Sequence, residues 1–216
     1  MHASPENDHA CLQGLLNDDP RALDAAILRW QRPLYDFAYQ YLRNHGDAQD
    51  LATETFVRLH QHRGRLRPDT NLPAWLFTTL GNLCCSQYRW RQRHPTVSLE
   101  VAGEDGGIDG EALPDPTAGP VQAAEADEAA AVLDAAIGRL PHDYKTAFLL
   151  HHFNHLSYAE IGRVLHCSER GIETRIYRAK AQLRAALAGY EREVMPGAPP
   201  VQHRETAPVT DPAETP

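Results

Sequence analysis

Arg170, Thr174 and Arg178 recur at four-residue spacing in the stretch from Leu156 to Leu187. That spacing puts them one turn apart on a single helical face, with Glu173 and Tyr177 on the adjoining row. Arg175, Lys180 and Arg184 flank them. Arg bonds guanine edges bidentately, Glu accepts from a cytosine amine, and Thr meets either polar or methyl edges. The face suits the major groove of a duplex; the plainer reading is a solvated basic helix closing an ordinary bundle. Two further groups carry chemistry. Asp47, Asp50 and Glu54 stand three and four apart, so three carboxylates share one outer face of a helix. Paired carboxylates serve acid–base or metal chemistry. Here no His or Gly-rich loop accompanies them, which leaves a partner-docking surface or a solvated acidic face. The third group is basic and aromatic. Arg63, Arg65 and Arg67 fill the loop RGRLRPDT before Asn71. Asn82, Ser86, Arg89 and Arg93 then form one helical row, with Tyr88, Trp90 and Arg91 beside it. Interleaved Arg and aromatic side chains fit phosphates and unstacked bases together.

Nothing points to an enzyme. No nucleophile with a base, and no phosphate loop, accompanies the carboxylates. His151, His152 and His155 lie close together, but no second ligand cluster at zinc spacing supports them, so they are read as lining a helix end and a turn. No metal or cofactor is expected. Cys11, Cys84, Cys85 and Cys167 contain no CxxC pair and behave as small apolar residues of a reducing cytoplasm.

The elements that must position these groups are all helical. Ser157 with Glu160 forms a capping box, and Tyr158, Ile161 and Leu165 share the face that follows. The break falls at His166 and Cys167. Ser168 caps a longer helix whose stripe is Ile172, Ile176, Ala179, Leu183 and Leu187. A short helix, a tight turn and a longer helix make a helix-turn-helix. Upstream, periodicity begins near Ala10, and Asp19-Pro20 marks a helix start. The next run carries Leu23, Ile27, Leu28, Leu34, Phe37, Ala38 and Tyr41. Pro33 inside it predicts a kink or two abutting helices, and Asn44-His45-Gly46 is read as its end. Asp47 caps a helix to about His62 with Leu51, Phe56 and Leu59 inward. Asn71 caps another, with Pro73 in its first turn and Leu72, Trp75, Leu76, Leu80 and Leu83 as its core stripe. Later, Leu133, Ala136, Ile137 and Leu140 form a stripe, and Pro141 starts a helix with Ala147, Phe148, Leu150 and Phe153.

The chain of 216 residues has a net charge of -8, which excludes a uniformly basic DNA-coating protein. Arg58 to Arg93 holds seven Arg against one Asp, whereas Glu100 to Glu128 holds nine acidic residues and no Lys or Arg. The excess negative charge is therefore in a linker between basic patches. That linker is Gly- and Pro-rich and reads as flexible. The expected organisation is all-α: a helical domain at 10–94, a flexible acidic linker at 95–122, a helix-turn-helix domain at 123–190 and a Pro-rich disordered tail at 191–216. No apolar run approaches a membrane span.

Two helical modules in this order, with DAQDLATETFVRLHQH, PAWLFTTLGNL before an Arg-rich helix end, and LPHDYKTAFLLHHFNHLSYAEIGRVLHCSERGIETRIYRAKAQLR, resemble the bacterial RNA polymerase sigma factors of the extracytoplasmic-function type. The resemblance covers Leu12 to Leu187 apart from the linker. It implies a cytoplasmic initiation factor that binds core RNA polymerase and promoter DNA and answers to an anti-sigma factor. Asp47, Asp50 and Glu54 would dock on the polymerase. Arg63, Arg65, Arg67, Asn71, Asn82, Tyr88 and Arg89 would hold the melted minus-ten strand, the loop before the helix taking a flipped base. Arg170, Gly171, Glu173, Thr174, Arg175, Tyr177 and Arg178 would read the minus-thirty-five duplex. The alternative is a stand-alone helix-turn-helix regulator. Three residues depart from the family pattern: His166 stands where a turn Gly is usual, Glu173 where relatives often carry Arg or Lys, and Ser86 where Asp is frequent.

Overall fold

The computed structural model describes residues 5–94 and 131–194, with side chains for residues 7–94 and 131–188. The acidic linker at 95–122 and residues 195–216 of the Pro-rich tail lie outside the described residues. Helices joined by short turns and loops make up the described residues, which contain no strand. Helix α1 spans Pro5–Leu16, α2 Pro20–Leu42, α3 His45–His62 and α4 Leu72–Arg93, with a 3-10 turn at Arg63–Arg65. After the linker come α5 (residues 131–139), α6 (His142–His152), α7 (Tyr158–Val164) and α8 (Glu169–Val194).

Local chemistry sets most boundaries. Asp19 accepts the Arg21 N–H and Pro20 opens α2. The Pro33 ring neither breaks this helix nor divides it; α2 runs unbroken to Leu42. It stops at Arg43, which turns left-handed (φ 52°) and donates its N–H to the Tyr39 carbonyl. Asn44, read from sequence as part of a terminator, is instead the N-cap of α3, its side chain accepting the Asp47 N–H at 2.8 Å. Asp47 is thus inside the first turn, where its carboxylate still meets the favourable end of the helix dipole. Asn71 caps α4 by accepting the Ala74 N–H at 2.9 Å. Two ends extend further than expected: α1 starts at Pro5 rather than near Ala10, and α8 continues to Val194, past residue 190.

The helix-turn-helix forms as its sequence dictates. Ser157 and Glu160 make both halves of the capping box. His166 takes the left-handed conformation (φ 51°) that reverses the chain. A Cβ at Gly162 would lie 2.7 Å from the Cys167 carbonyl oxygen, so only Gly lets the turn fold back this tightly. The Ser168 hydroxyl accepts the Gly171 N–H at 3.2 Å and starts α8. Ile172, Ile176, Ala179 and Leu183 are buried beneath it.

The two modules do not stand apart. One continuous apolar cluster joins Leu34, Phe37 and Tyr41 of α2 and Leu76, Phe77 and Leu80 of α4 to Ile137, Leu149, Leu150 and Ile161 of the C-terminal module. Helix α4 packs on α7, and α2 packs on α6. Departures from the expected stripes are local. Leu28 is 77 % exposed although it falls in the apolar periodicity of α2. Leu83 is only half-buried while its neighbour Cys84 is fully buried, and Phe153 is largely exposed at the end of α6.

Candidate nucleic-acid interface

The face of α8 opposite its apolar stripe carries the candidate readers. Arg170, Glu173, Thr174, Tyr177 and Arg178 are all exposed, Tyr177 at 68 %. A Tyr this open contributes little to a core and is available to a partner. The Thr174 hydroxyl bonds back to the Arg170 carbonyl at 2.9 Å. Arg178 donates to the Tyr144 hydroxyl of α6 at 3.1 Å, which holds the guanidinium at the face. Arg175 is placed differently. It pairs with Asp143 at 3.0 Å and donates to the Cys167 sulfur at 2.9 Å, tying α8 to α6 and to the turn. Gly171 belongs to the helix cap, its N–H held by Ser168. The two therefore hold α8 in place, and the exposed five make up its outer face.

The N-terminal groups are more engaged. Arg63 pairs with Asp18 and donates to the His60 carbonyl at 2.8 Å. Arg67 pairs with Asp69 at 3.2 Å, and Arg65 stands exposed between them. Asn82 and Arg89 are exposed along one row of α4. Asn82 also opens onto a recess of about 200 Å³ with Arg58, His62, Trp75 and Thr79. Trp75, read from sequence as core, is half-buried and forms one wall of this recess. Trp90 is 45 % exposed and stacks on His94. Tyr88 turns the other way: its hydroxyl donates to the Gly138 carbonyl of α5 at 2.7 Å and accepts from Gln92.

The three carboxylates of α3 separate. Asp50 is exposed, and Glu54 is half-exposed and paired with Arg58 at 2.8 Å. Asp47 faces α4, bound by Arg91 at 2.8 Å and Gln87 at 3.0 Å. A cavity of about 730 Å³ runs between α2 and α3, lined by Leu23, Ile27, Tyr35, Phe56, Val57 and His60 among others. Sequence periodicity counted Leu23 and Ile27 as core, and the exposure of Val57 (42 %) gave no signal of its own. His151, finally, bonds the Leu156 carbonyl at 3.1 Å through Nδ1 and shapes the turn after α6. Among the described residues no His, Cys, Asp or Glu cluster could hold a metal. None of the described helices is long and apolar enough to cross a membrane.

Comparison with known proteins agrees with this geometry. The family model for Sigma-70 region 2 matches residues 26–94, and that for Sigma-70 region 4 matches residues 130–183. The chain is 29 % identical to the RNA polymerase sigma-H factor of Pseudomonas aeruginosa over 87 % of its length and 97 % of that relative's. It is 34 % identical to the ECF RNA polymerase sigma factor EcfG of Rhodopseudomonas palustris, over 70 % of this chain and 77 % of the relative. Among solved structures, CnrH in complex with the cytosolic domain of CnrY is similar in fold at a TM-score of 0.62 and 22 % identity, covering 85 % of this chain and 98 % of that one. RpoE of Bartonella quintana, solved with the anti-sigma factor NepR, has a TM-score of 0.52 at 25 % identity, covering 76 % of this chain and 96 % of that one.

Proposed function

The chain belongs to the extracytoplasmic-function RNA polymerase sigma factors, and on that premise we propose how its residues divide the work. It binds core RNA polymerase and directs it to promoters for transcription initiation. The observation that carries the residue assignment is the outer face of α8, where Arg170, Glu173, Thr174, Tyr177 and Arg178 stand exposed above a fully buried stripe. This face enters the major groove of the minus-thirty-five element. Arg175 and Gly171 position it through Asp143 and the Ser168 cap. Glu173 accepts from a base amine, so this promoter element differs from one read by a basic residue at the same place.

The N-terminal module takes the melted minus-ten strand. Arg65 and Arg67 on the loop and Arg89 on α4 contact phosphates. The recess bounded by Trp75, Asn82, Arg58 and His62 receives an unstacked base, with the indole as its stacking wall. Asp50 and Glu54, with the apolar cavity between α2 and α3, form the docking surface for polymerase. An anti-sigma factor is a further partner, a reading supported by the likeness to RpoE, which was solved with one. The protein acts without catalytic chemistry of its own and works in the cytoplasm, where polymerase and promoter are.

Run-off transcription tests the whole reading. Purified core polymerase plus this protein yields a discrete transcript from fragments of the source genome; core alone does not. Duplex binding by the free protein with no polymerase-dependent transcript supports the stand-alone regulator instead.

A further inference from the structure

The contact between the modules engages Tyr88 of α4, whose hydroxyl is held by the Gly138 carbonyl and whose ring is covered by Lys145. Lys145 on α6 is 2 % exposed. Its ammonium lies 4.1 Å from the centre of the Tyr41 ring and 4.7 Å from that of Tyr88, so α2 and α4 hold it between two phenols. Among the described residues it has no carboxylate within ion-pair distance. Cys84 and Cys85, 0 % and 8 % exposed, flank it on α4. Around this centre the Tyr41 hydroxyl meets His142 Nδ1 at 2.9 Å, the Thr78 hydroxyl donates to the Val164 carbonyl at 2.8 Å, and Arg43 pairs with Asp134. Asn154 Nδ2 reaches the Pro33 carbonyl at 3.1 Å, while its Oδ1 is buried without a hydrogen bond.

This closed form cannot read a whole promoter. The two elements lie about 25 base pairs apart by their names, roughly 85 Å of duplex at the B-form rise. A body of about 150 residues with one core is on the order of 40 Å across. The modules must therefore part. The interface is built for that, because an ammonium buried between two rings, with no carboxylate within ion-pair distance among the described residues, regains less than its desolvation costs. An unsatisfied amide oxygen adds to the strain.

Building on the sigma-factor reading above, we propose that Lys145 is the release element of a latch: closure buries it between Tyr41 and Tyr88 and withholds Tyr88 from the minus-ten strand, and its charge, which has no ion-pair partner among the described residues, keeps the closed form easy to open. Polymerase and promoter contacts pull Lys145 out, which frees the Tyr88 ring and hydroxyl together.

Cys84 and Cys85 report opening directly, because a maleimide reaches them only when α6 leaves. In the full-length protein, labelling resolved by mass spectrometry shows Cys11 and Cys167 reacting first and Cys84 and Cys85 in a slow phase. Lys145→Met keeps the stem and removes the charge, so it slows that phase about tenfold and lowers run-off yield. The charge-neutral pair Tyr41→Phe and Thr78→Val removes two interface hydrogen bonds. It speeds the slow phase several-fold and tightens binding to a fluorescein-labelled random single strand. Equal slow-phase rates in wild type, Lys145→Met and the double variant overturn the latch. Should Lys145→Met fail to fold by circular dichroism, the double variant decides alone, and an unchanged rate there is equally fatal. Wild-type run-off separates the two ideas: transcription with unmoved labelling rejects the latch, whereas moved labelling without transcription rejects the sigma-factor reading.

Discussion

On α8, Arg170, Glu173, Thr174 and Tyr177 stand open to solvent, whereas on α3 and α4 Asp47 is held by Arg91 and Gln87 and Tyr88 is bound to Gly138. The outer face of α8, proposed to read duplex, is already formed in the protein alone. Its framing contacts, Arg175 with Asp143 and Ser168 with Gly171, sit behind the exposed row. The N-terminal face mixes exposed groups such as Arg65, Asn82 and Arg89 with groups already bonded inside the protein. A duplex keeps its shape, so a rigid preformed helix suits it. A melted strand has no fixed shape, and a surface that completes itself on opening suits that target.

Four changes break or sharpen this contrast. The largest effect is expected at the proposed polymerase-docking surface, whose groups Asp50 and Glu54 are open on the N-terminal module. Asp50→Lys with Glu54→Lys places like charge against a basic partner surface, at a cost of several kcal/mol. Fluorescence titration with core polymerase should show affinity falling at least a hundredfold while the thermal melt barely moves, since exposed pairs add little to stability. Unchanged affinity removes these carboxylates from the interface.

Next is the preformed face. Arg178→Ala should lose about tenfold or more on the specific duplex and relax preference at one base pair. Arg184→Ala, farther along α8, should weaken specific and random duplexes alike and flatten the salt dependence. If both variants lose equally on both duplexes, Arg178 touches backbone only.

A smaller effect separates scaffold from contact on α3. Asp47→Ala breaks the link to Arg91 and Gln87, which should lower stability by about 1 kcal/mol. A domain of this size then melts roughly 2–4 °C lower. Core affinity should change far less than with the Asp50 and Glu54 reversals; an equal loss puts Asp47 back on the docking surface.

The subtlest change is pH. Burial lowers the His142 pKa below its usual 6.5 and brings that of Lys145 down to about 8. The groups facing them are Tyr41 and Arg43 from α2, Cys84, Cys85, Tyr88 and Arg89 from α4, Asp134 from α5 and Asp143 on α6. The closed form holds His142 neutral, so closure is undiminished above pH 6.5 and weakens as pH falls through that value. Lys145 is charged in both forms below pH 8. From about pH 8 the closed form sheds this proton first, so the Lys145 contribution to closure grows as pH rises. Burial raises the pKa of Cys84 above its usual 9.0 and that of Tyr41 above 10, so the open form ionises these groups first and they oppose the Lys145 trend from about pH 9 upward. Small-angle scattering should therefore show a larger radius of gyration at pH 5.5 than at pH 9; a flat profile removes both groups from the balance.

Ser157, Glu160, His166, Ser168 and the stripe from Ile172 to Leu183 were legible in the sequence because capping and helical periodicity act over three to eight residues. The all-α fold, the start of α2 at Asp19-Pro20, the cap at Asn71 and the exposed outer face of α8 follow from the same short-range rules. Even there, one error shows the limit: Asn44 and Asp47 both suit an N-cap, and only the left-handed turn at Arg43 assigns the cap to Asn44. What the tertiary structure alone decided depends on residues far apart in the chain. Tyr41 meets His142 across 101 positions, Thr78 meets Val164 across 86, and Tyr88 meets Gly138 across 50. No periodicity reports such partners. The sequence shows Lys145 as one more cation on a helix; the packing of α6 against α2 and α4 makes it a buried charge, because a side chain's solvent is supplied by whichever surface folds over it.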